Sequence, residues 1–125
     1  MLDDAAFATQ WVESRDRARP RGERALRQEL RQKGIDSDTI ARTLDQRSAA
    51  AADHDGPLDS ERRSADEVAA RRLLLRHAAA LERVADPRAR RQRAYQLLAR
   101  SGFGPEIAGA LAREASMDSV EDQDE

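Results

Sequence analysis

A helix-forming block that occurs twice constrains this chain more than any other feature of its sequence. The first copy covers residues 24–35 and the second covers residues 93–103. Each copy places apolar residues at helical spacing before a glycine and one further apolar residue, and an Ile and a Leu four positions apart follow. This order predicts a helix, a glycine stop and a second helix in each copy. A repeated unit of this size indicates small helical modules in tandem, which usually bind a partner.

The composition of the chain favours an all-α fold with narrow cores. Aromatic residues make up 3% of the 125 residues and charged residues make up 37%. Ala, Leu and Arg dominate, which favours thin helices over a sheet. The chain has no cysteine, so disulfides and cysteine-based zinc sites are excluded. No apolar run approaches the roughly 18 residues that a membrane span needs, and we expect no secretory signal.

The first of the two modules is expected to cover residues 2–52. Two breaks should separate its three helices, one at residues 20–22 and one at Gly34. The residue before Pro20 disfavours helical dihedral angles, and a glycine fits the left-handed position just past a helix end. Asp36 or Ser37 should then cap the third helix.

A linker, a second module and a tail are expected to follow. Residues 53–63 are polar and contain a Gly-Pro pair, which predicts a linker. Residues 64–115 form the second module, whose first helix should start at the Ser64 cap and run unbroken to about Val84. Residues 116–125 are acidic and poor in apolar residues, so they predict a disordered tail.

Clustered arginines in the second module form the candidate partner-binding surface. Residues 71–100 carry nine Arg against Glu82 and Asp86. Arginine makes forked contacts with phosphate and carboxylate, and salt should weaken such contacts. The competing interpretation is the solvated face of an arginine-rich helix. The candidate residues are Arg71, Arg72, Arg76, Arg88, Arg90, Arg91 and Arg93.

The aromatic and histidine residues are interpreted as structural. Phe7 and Trp11 lie four positions apart and should form the core of the first module, and Tyr95 should pack beside its leucine neighbours with its hydroxyl at the rim. His54 and His77 lack the spacing of metal ligands, so we expect no metal site. No pattern of catalytic residues and no glycine-rich phosphate loop is present, so we expect no enzyme.

Two stretches of the chain carry a more specific pattern than helix signals alone. Residues 2–15 and 26–35, followed by Ile40 and Leu44, resemble the middle module of bacterial RecX proteins. Residues 86–111 resemble the last module of the same family, and the order and separation of the two stretches agree with it. The resemblance covers the chain apart from the linker and the tail. It leaves the family's first module without a counterpart here.

The resemblance implies an all-α protein of tandem three-helix modules in an elongated, curved shape. It implies a cytoplasmic protein that binds filaments of the recombinase RecA on single-stranded DNA and inhibits them, in DNA repair, recombination and the SOS response. A monomer is the default expectation for the oligomeric state. Direct contact with DNA would be weak. The resemblance implies neither a cofactor nor catalytic residues.

Two other functions fit the same helical pattern. One is a helical nucleic-acid-binding module that acts without RecA, since helix, glycine turn and helix also describe a helix-turn-helix motif. Against it, the helix after Gly34 would turn Asp36, Asp38 and Asp45 towards phosphate. The other is a helical scaffold that binds a different protein through the arginine surface.

Overall fold

The computed structural model describes residues 3–51 and 58–123 of the chain, with side chains described for residues 3–51 and 65–116. Every regular element in these ranges is an α-helix, which confirms the predicted all-α class. The helices are α1 (Asp4–Ala18), α2 (Glu23–Gln32), α3 (Ser37–Ala51), α4 (Leu58–Arg76), α5 (Ala78–Glu82), α6 (Pro87–Arg100) and α7 (Pro105–Gln123).

Helices α1 to α3 form the first unit and follow the local sequence signals closely. Asp36 accepts hydrogen bonds from the backbone N–H and the hydroxyl of Thr39, so it is the cap of α3. Gly34 has a φ of 86°, and the Ile35 N–H folds back to the Leu30 carbonyl at 3.0 Å. The buried core of this unit consists of Ala8, Val12, Leu26, Leu30, Ile35, Ile40 and Leu44.

Helices α4 to α7 form the second unit, which differs from the expected three helices. The helix expected to run to about Val84 is interrupted at His77, so that α4 and the short α5 are separate. The interruption lets Leu81 pack into the seam between α6 and α7, against Ala94 and Ala112. No glycine or proline stands at this break, so no local sequence signal predicts it.

Helices extend into both segments that the sequence predicted to be a linker and a disordered tail. Helix α4 already begins at Leu58, and residues 53–57 of the expected linker lie outside the described residues. Helix α7 continues to Gln123 through most of the expected tail. Residues 116–123 contain neither glycine nor proline, so no local signal stops this helix.

The two units pack directly against each other. Helix α4 lies along α3, and the turn before α2 meets the turn after α6. The Gly22 N–H donates to the Ser101 carbonyl at 2.9 Å. A Cβ atom on Gly22 would lie 2.3 Å from the Gly102 carbonyl oxygen, and one on Gly102 would lie 2.3 Å from the Ala25 Cβ. Glycine at both positions therefore permits a backbone-to-backbone contact between the units.

Candidate partner-binding surface

The seven candidate arginines do not share one environment, and Arg90 is the clearest exception. Its side chain is 9% exposed and lies on the buried face of α6 with Ala94 and Leu98. The guanidinium donates to the carbonyls of Leu81 and Val84 at 2.7–3.1 Å, at the end of α5. Arg90 therefore closes the α5–α6 turn and is not available to a partner.

Arg76 and Arg71 also make contacts within the chain, although both are exposed. Arg76 donates to the carbonyls of Ala18, at 2.6 Å, and Arg17, and so satisfies the free carbonyl end of α1 from across the interface. Arg71 forms a forked pair with Glu114 on α7, at 2.8 and 3.3 Å. These two arginines hold helices together in this structure.

The side chains of the other four candidates are exposed and form no hydrogen bond or ion pair with any described residue. Arg72 lies on α4, whereas Arg88, Arg91 and Arg93 lie on α6. Successive helical residues are about 100° apart, so Arg88 and Arg91 share one flank of α6 and Arg93 lies about 160° from Arg91. The exposed arginines of α6 therefore lie on both flanks of its buried face, which is formed by Arg90, Ala94 and Leu98.

Two aromatic side chains are more exposed than the sequence predicted. Tyr95 lies on the flank of α6 that carries Arg88 and Arg91, and it is exposed. Phe7 is 42% exposed and stacks on Trp11, with ring centroids 6.0 Å apart. The prediction that Phe7 belongs to the core of the first module is thus wrong. Tyr95 was expected to pack with its hydroxyl at the rim, and its side chain is 38% exposed.

Of the aromatic pair in α1, Trp11 is the one that packs against the core. It packs half-buried against the core of the first unit, and its Nε1 donates to the Glu29 carboxylate at 2.8 Å. The charged ends of Arg15 and Lys33 lie 4.8 and 4.9 Å from the ring centroid. These cation–π contacts fix the indole at the rim of the first unit.

A buried ion cluster at the interface was not identified from the sequence. The Arg47 side chain on α3 is 6% exposed and donates to Asp16 on α1 at 3.2 Å and to Asp66 on α4 at 2.7 Å. Its third contact is the Arg21 carbonyl at 3.1 Å. Asp66 also accepts the Glu23 backbone N–H at 3.1 Å, so it caps α2 from the other unit. This cluster connects four segments of the chain.

The titration of this cluster reflects burial opposed by charge. Burial raises the pKa of the Asp66 carboxyl above its ordinary value, and the hydrogen bond from Arg47 opposes that rise. Burial lowers the pKa of Arg47, but the charges of Asp16 and Asp66 outweigh burial and raise it. No local signal could have identified these residues, since a lone charge on an amphipathic helix usually faces solvent.

The part of the chain that the structure describes holds neither a metal-binding cluster nor a helix that could span a membrane. Among the side chains described for residues 3–51 and 65–116, no three acidic, histidine or cysteine side chains lie close enough to hold a metal ion together. None of the helices described in residues 3–51 and 58–123 has the length and apolar character of a membrane span.

Comparison with known proteins gives consistent matches along the chain. Residues 3–44 match the family model described as RecX, second three-helix domain. A regulatory protein RecX of Thermobifida fusca is 37% identical over 91% of this chain and 54% of its own length. The regulatory proteins RecX of Corynebacterium efficiens and Streptomyces coelicolor are 33% and 34% identical over 98% of the chain, and 53% and 57% of their lengths. The chain thus spans about half the length of these relatives. No solved structure matches it.

Proposed function

Because this chain belongs to the RecX family, we propose that it binds RecA filaments on single-stranded DNA and inhibits them. Its relatives carry the name of a regulatory protein, which supports a binding function over catalysis. The proposal places the protein in the cytoplasm, as a regulator of DNA repair and recombination. The family model matches the first unit, as the second three-helix domain of RecX, so its support for the proposal comes from that unit.

The observation that carries the proposal at residue level is the set of exposed arginines without a described partner. A RecA filament on DNA presents phosphates and acidic protein surface, and forked arginine contacts suit both. Arg72, Arg88, Arg91 and Arg93 are the candidates that remain after the intramolecular contacts are assigned. Attraction by exposed charges speeds encounter and weakens as salt rises.

The arrangement of these arginines on α6 supports a wedge between two surfaces. Arg88 and Arg91 face one flank of the helix, and Arg93 faces the other. A helix inserted between neighbouring RecA subunits would contact both of them, so cationic side chains on both flanks favour that position. Bridging of this kind would slow filament assembly or lower filament activity.

The test is inhibition of the ATPase of RecA on single-stranded DNA at fixed salt. We expect inhibition by the intact chain, and a loss of potency of about tenfold when Arg88, Arg91 and Arg93 are replaced by alanine. Exposed ion pairs contribute roughly 0.2–1 kcal/mol each, and about 1.4 kcal/mol corresponds to a factor of ten. A matched control replaces Arg24, Arg31 and Arg42, which are exposed on α2 and α3.

Three results would count against the proposal. The first is a chain that leaves RecA unaffected, and the second is equal loss of potency in both triple variants. The third is equally tight binding to single-stranded DNA with and without RecA, which would favour a nucleic-acid-binding module. Helicity measured by circular dichroism should be the same in all variants, because none of the replaced side chains is buried.

A further inference from the structure

A groove in the second unit exposes apolar surface. It lies between α4, α5 and α7 and encloses about 720 Å³. Leu75 is 75% exposed at its edge, and the buried Leu81 and Leu111 lie at its base. No other large apolar side chain of the described residues is as exposed as Leu75. Leu75 lies at the opening of this concave surface, which makes the groove a candidate docking site. We call this surface the α7 groove.

The internal repeat shows what kind of element covers such a surface. Helix α7 is the counterpart of α3, since Ile107 and Leu111 repeat the positions of Ile40 and Leu44. Helix α4 of the second unit lies along α3 of the first, where Thr43 is buried. The corresponding residue of α7 is Ala110, three positions after Ile107, and it is exposed. The described residues supply a covering helix for α3 and none for this face of α7.

The charges on the two faces are reversed. Arg47 lies seven positions after Ile40, and Glu114 lies seven positions after Ile107. Arg47 is bound by one carboxylate of its own unit and by Asp66 of the covering helix α4. Glu114 is bound by Arg71 of its own unit and has no second cation among the described residues. Its side chain is 51% exposed, so a second cation could reach it.

We propose that the α7 groove binds an amphipathic helix of a partner protein, with Leu75 against its apolar face and a Lys or Arg of that helix bound to Glu114. The partner helix takes the place on α7 that α4 takes on α3. Its cation completes a cluster of one acid and two bases, the reverse of the one base and two acids around Arg47. Binding of a helix in an apolar groove is a common mode of recognition. This inference goes beyond the proposed function and uses none of its free arginines.

The probe for this proposal comes from the chain itself. It is a fluorescein-labelled, helix-stapled peptide with the sequence of residues 58–76, in which Asp66 is replaced by arginine. The native sequence and a scrambled version of the substituted peptide serve as controls for helix shape and net charge. Fluorescence anisotropy with the full chain measures the affinity of each peptide.

We expect the substituted peptide to bind at least about tenfold more tightly than either control, the size of an effect near 1.4 kcal/mol. Leu75→Asp in the chain should abolish binding. Glu114→Arg should reverse the preference, so that the native peptide becomes the tighter ligand. Such a reversal requires a folded groove, so it separates a lost contact from an unfolded variant.

Three outcomes would overturn the proposal. One is equal affinity for all three peptides, and another is an unchanged preference in Glu114→Arg. The third is self-association of the chain that Leu75→Asp removes, which would assign the groove to a second copy of the chain. The RecA assay is independent, since Arg88, Arg91 and Arg93 do not line the groove.

Discussion

Substitution of Gly22 by alanine tests the contact that joins the two units. Gly22 has a φ of −77° and a ψ of 165°, which alanine adopts without strain, so the local conformation costs nothing. The added Cβ atom would lie 2.3 Å from the Gly102 carbonyl oxygen and 2.7 Å from the Phe103 nitrogen. Both are backbone atoms, so no side-chain rotation can relieve the clash. The interface must open instead.

The change in the free energy of unfolding follows from the contacts that this opening weakens. Overpacking at a close contact lowers that free energy by about 1–3 kcal/mol. The hydrogen bond from the Gly22 N–H to Ser101 contributes about 1 kcal/mol. Alanine also restricts the unfolded chain more than glycine does, and this stabilises the fold by about 0.4–1 kcal/mol and offsets part of the loss. We expect Gly22→Ala to lower the free energy of unfolding by about 2 kcal/mol net, or to lower Tm by about 8 °C for a chain of this size.

The assay is urea and thermal unfolding followed by circular dichroism, with Gly109→Ala as the matched control. Gly109 lies within α7, and a Cβ atom there would meet nothing within 4 Å. Alanine is the better helix former, so this control should stabilise the chain by about 0.5–1 kcal/mol. Equal stability of Gly22→Ala and the wild type would refute the reasoning. So would an unaltered interface in Gly22→Ala, measured by hydrogen exchange at the Glu23 amide.

Two further predictions concern charged groups. Arg47→Met leaves Asp66 and Asp16 without their cation and should lower the free energy of unfolding by about 3–5 kcal/mol. The control Arg42→Met, at an exposed position of α3, should change that free energy by less than about 0.5 kcal/mol. Equal effects of the two substitutions in urea unfolding would show that the ion cluster does not stabilise the fold. The Thr39 hydroxyl and N–H lower the pKa of Asp36 below 3.8. A carboxyl with a lowered pKa stabilises the folded state above its unfolded pKa, and this contribution is lost as pH falls through the folded value. The stability advantage of the wild type over Asp36→Asn should therefore shrink below about pH 4, and an advantage that stays constant to about pH 2 would contradict this sign.

The helix boundaries in the first unit were predictable because their signals are local. An N-cap carboxylate needs only the amides two or three residues ahead, as Asp36 shows with Thr39. A helix stop needs only a glycine at positive φ, as Gly34 and Gly102 show. The break at His77 was not predictable, since no glycine or proline marks it and the packing of Leu81 beyond it involves two later helices.

The candidate surface was predictable only in part. Sequence clustering identified the arginines of α4 and α6 but could not separate Arg90, which is buried, from Arg91, which is exposed. The two are adjacent in sequence and about 100° apart on the helix, so the direction of the covering helices decides between them. The groove around Leu75 was likewise not anticipated, because a leucine in a helix is usually expected in the core.

The sequence by itself determined the helical class, the stops at Gly34 and Gly102, the apolar stripes and the resemblance that family comparison confirmed. Each of these depends on residues within a few positions of one another. Only the tertiary structure decided which charged side chains are exposed and unpaired and which are bound within the fold. Asp66 caps a helix that begins 43 positions earlier, and such a pairing is set by how helices pack over long separations, which local spacing does not encode.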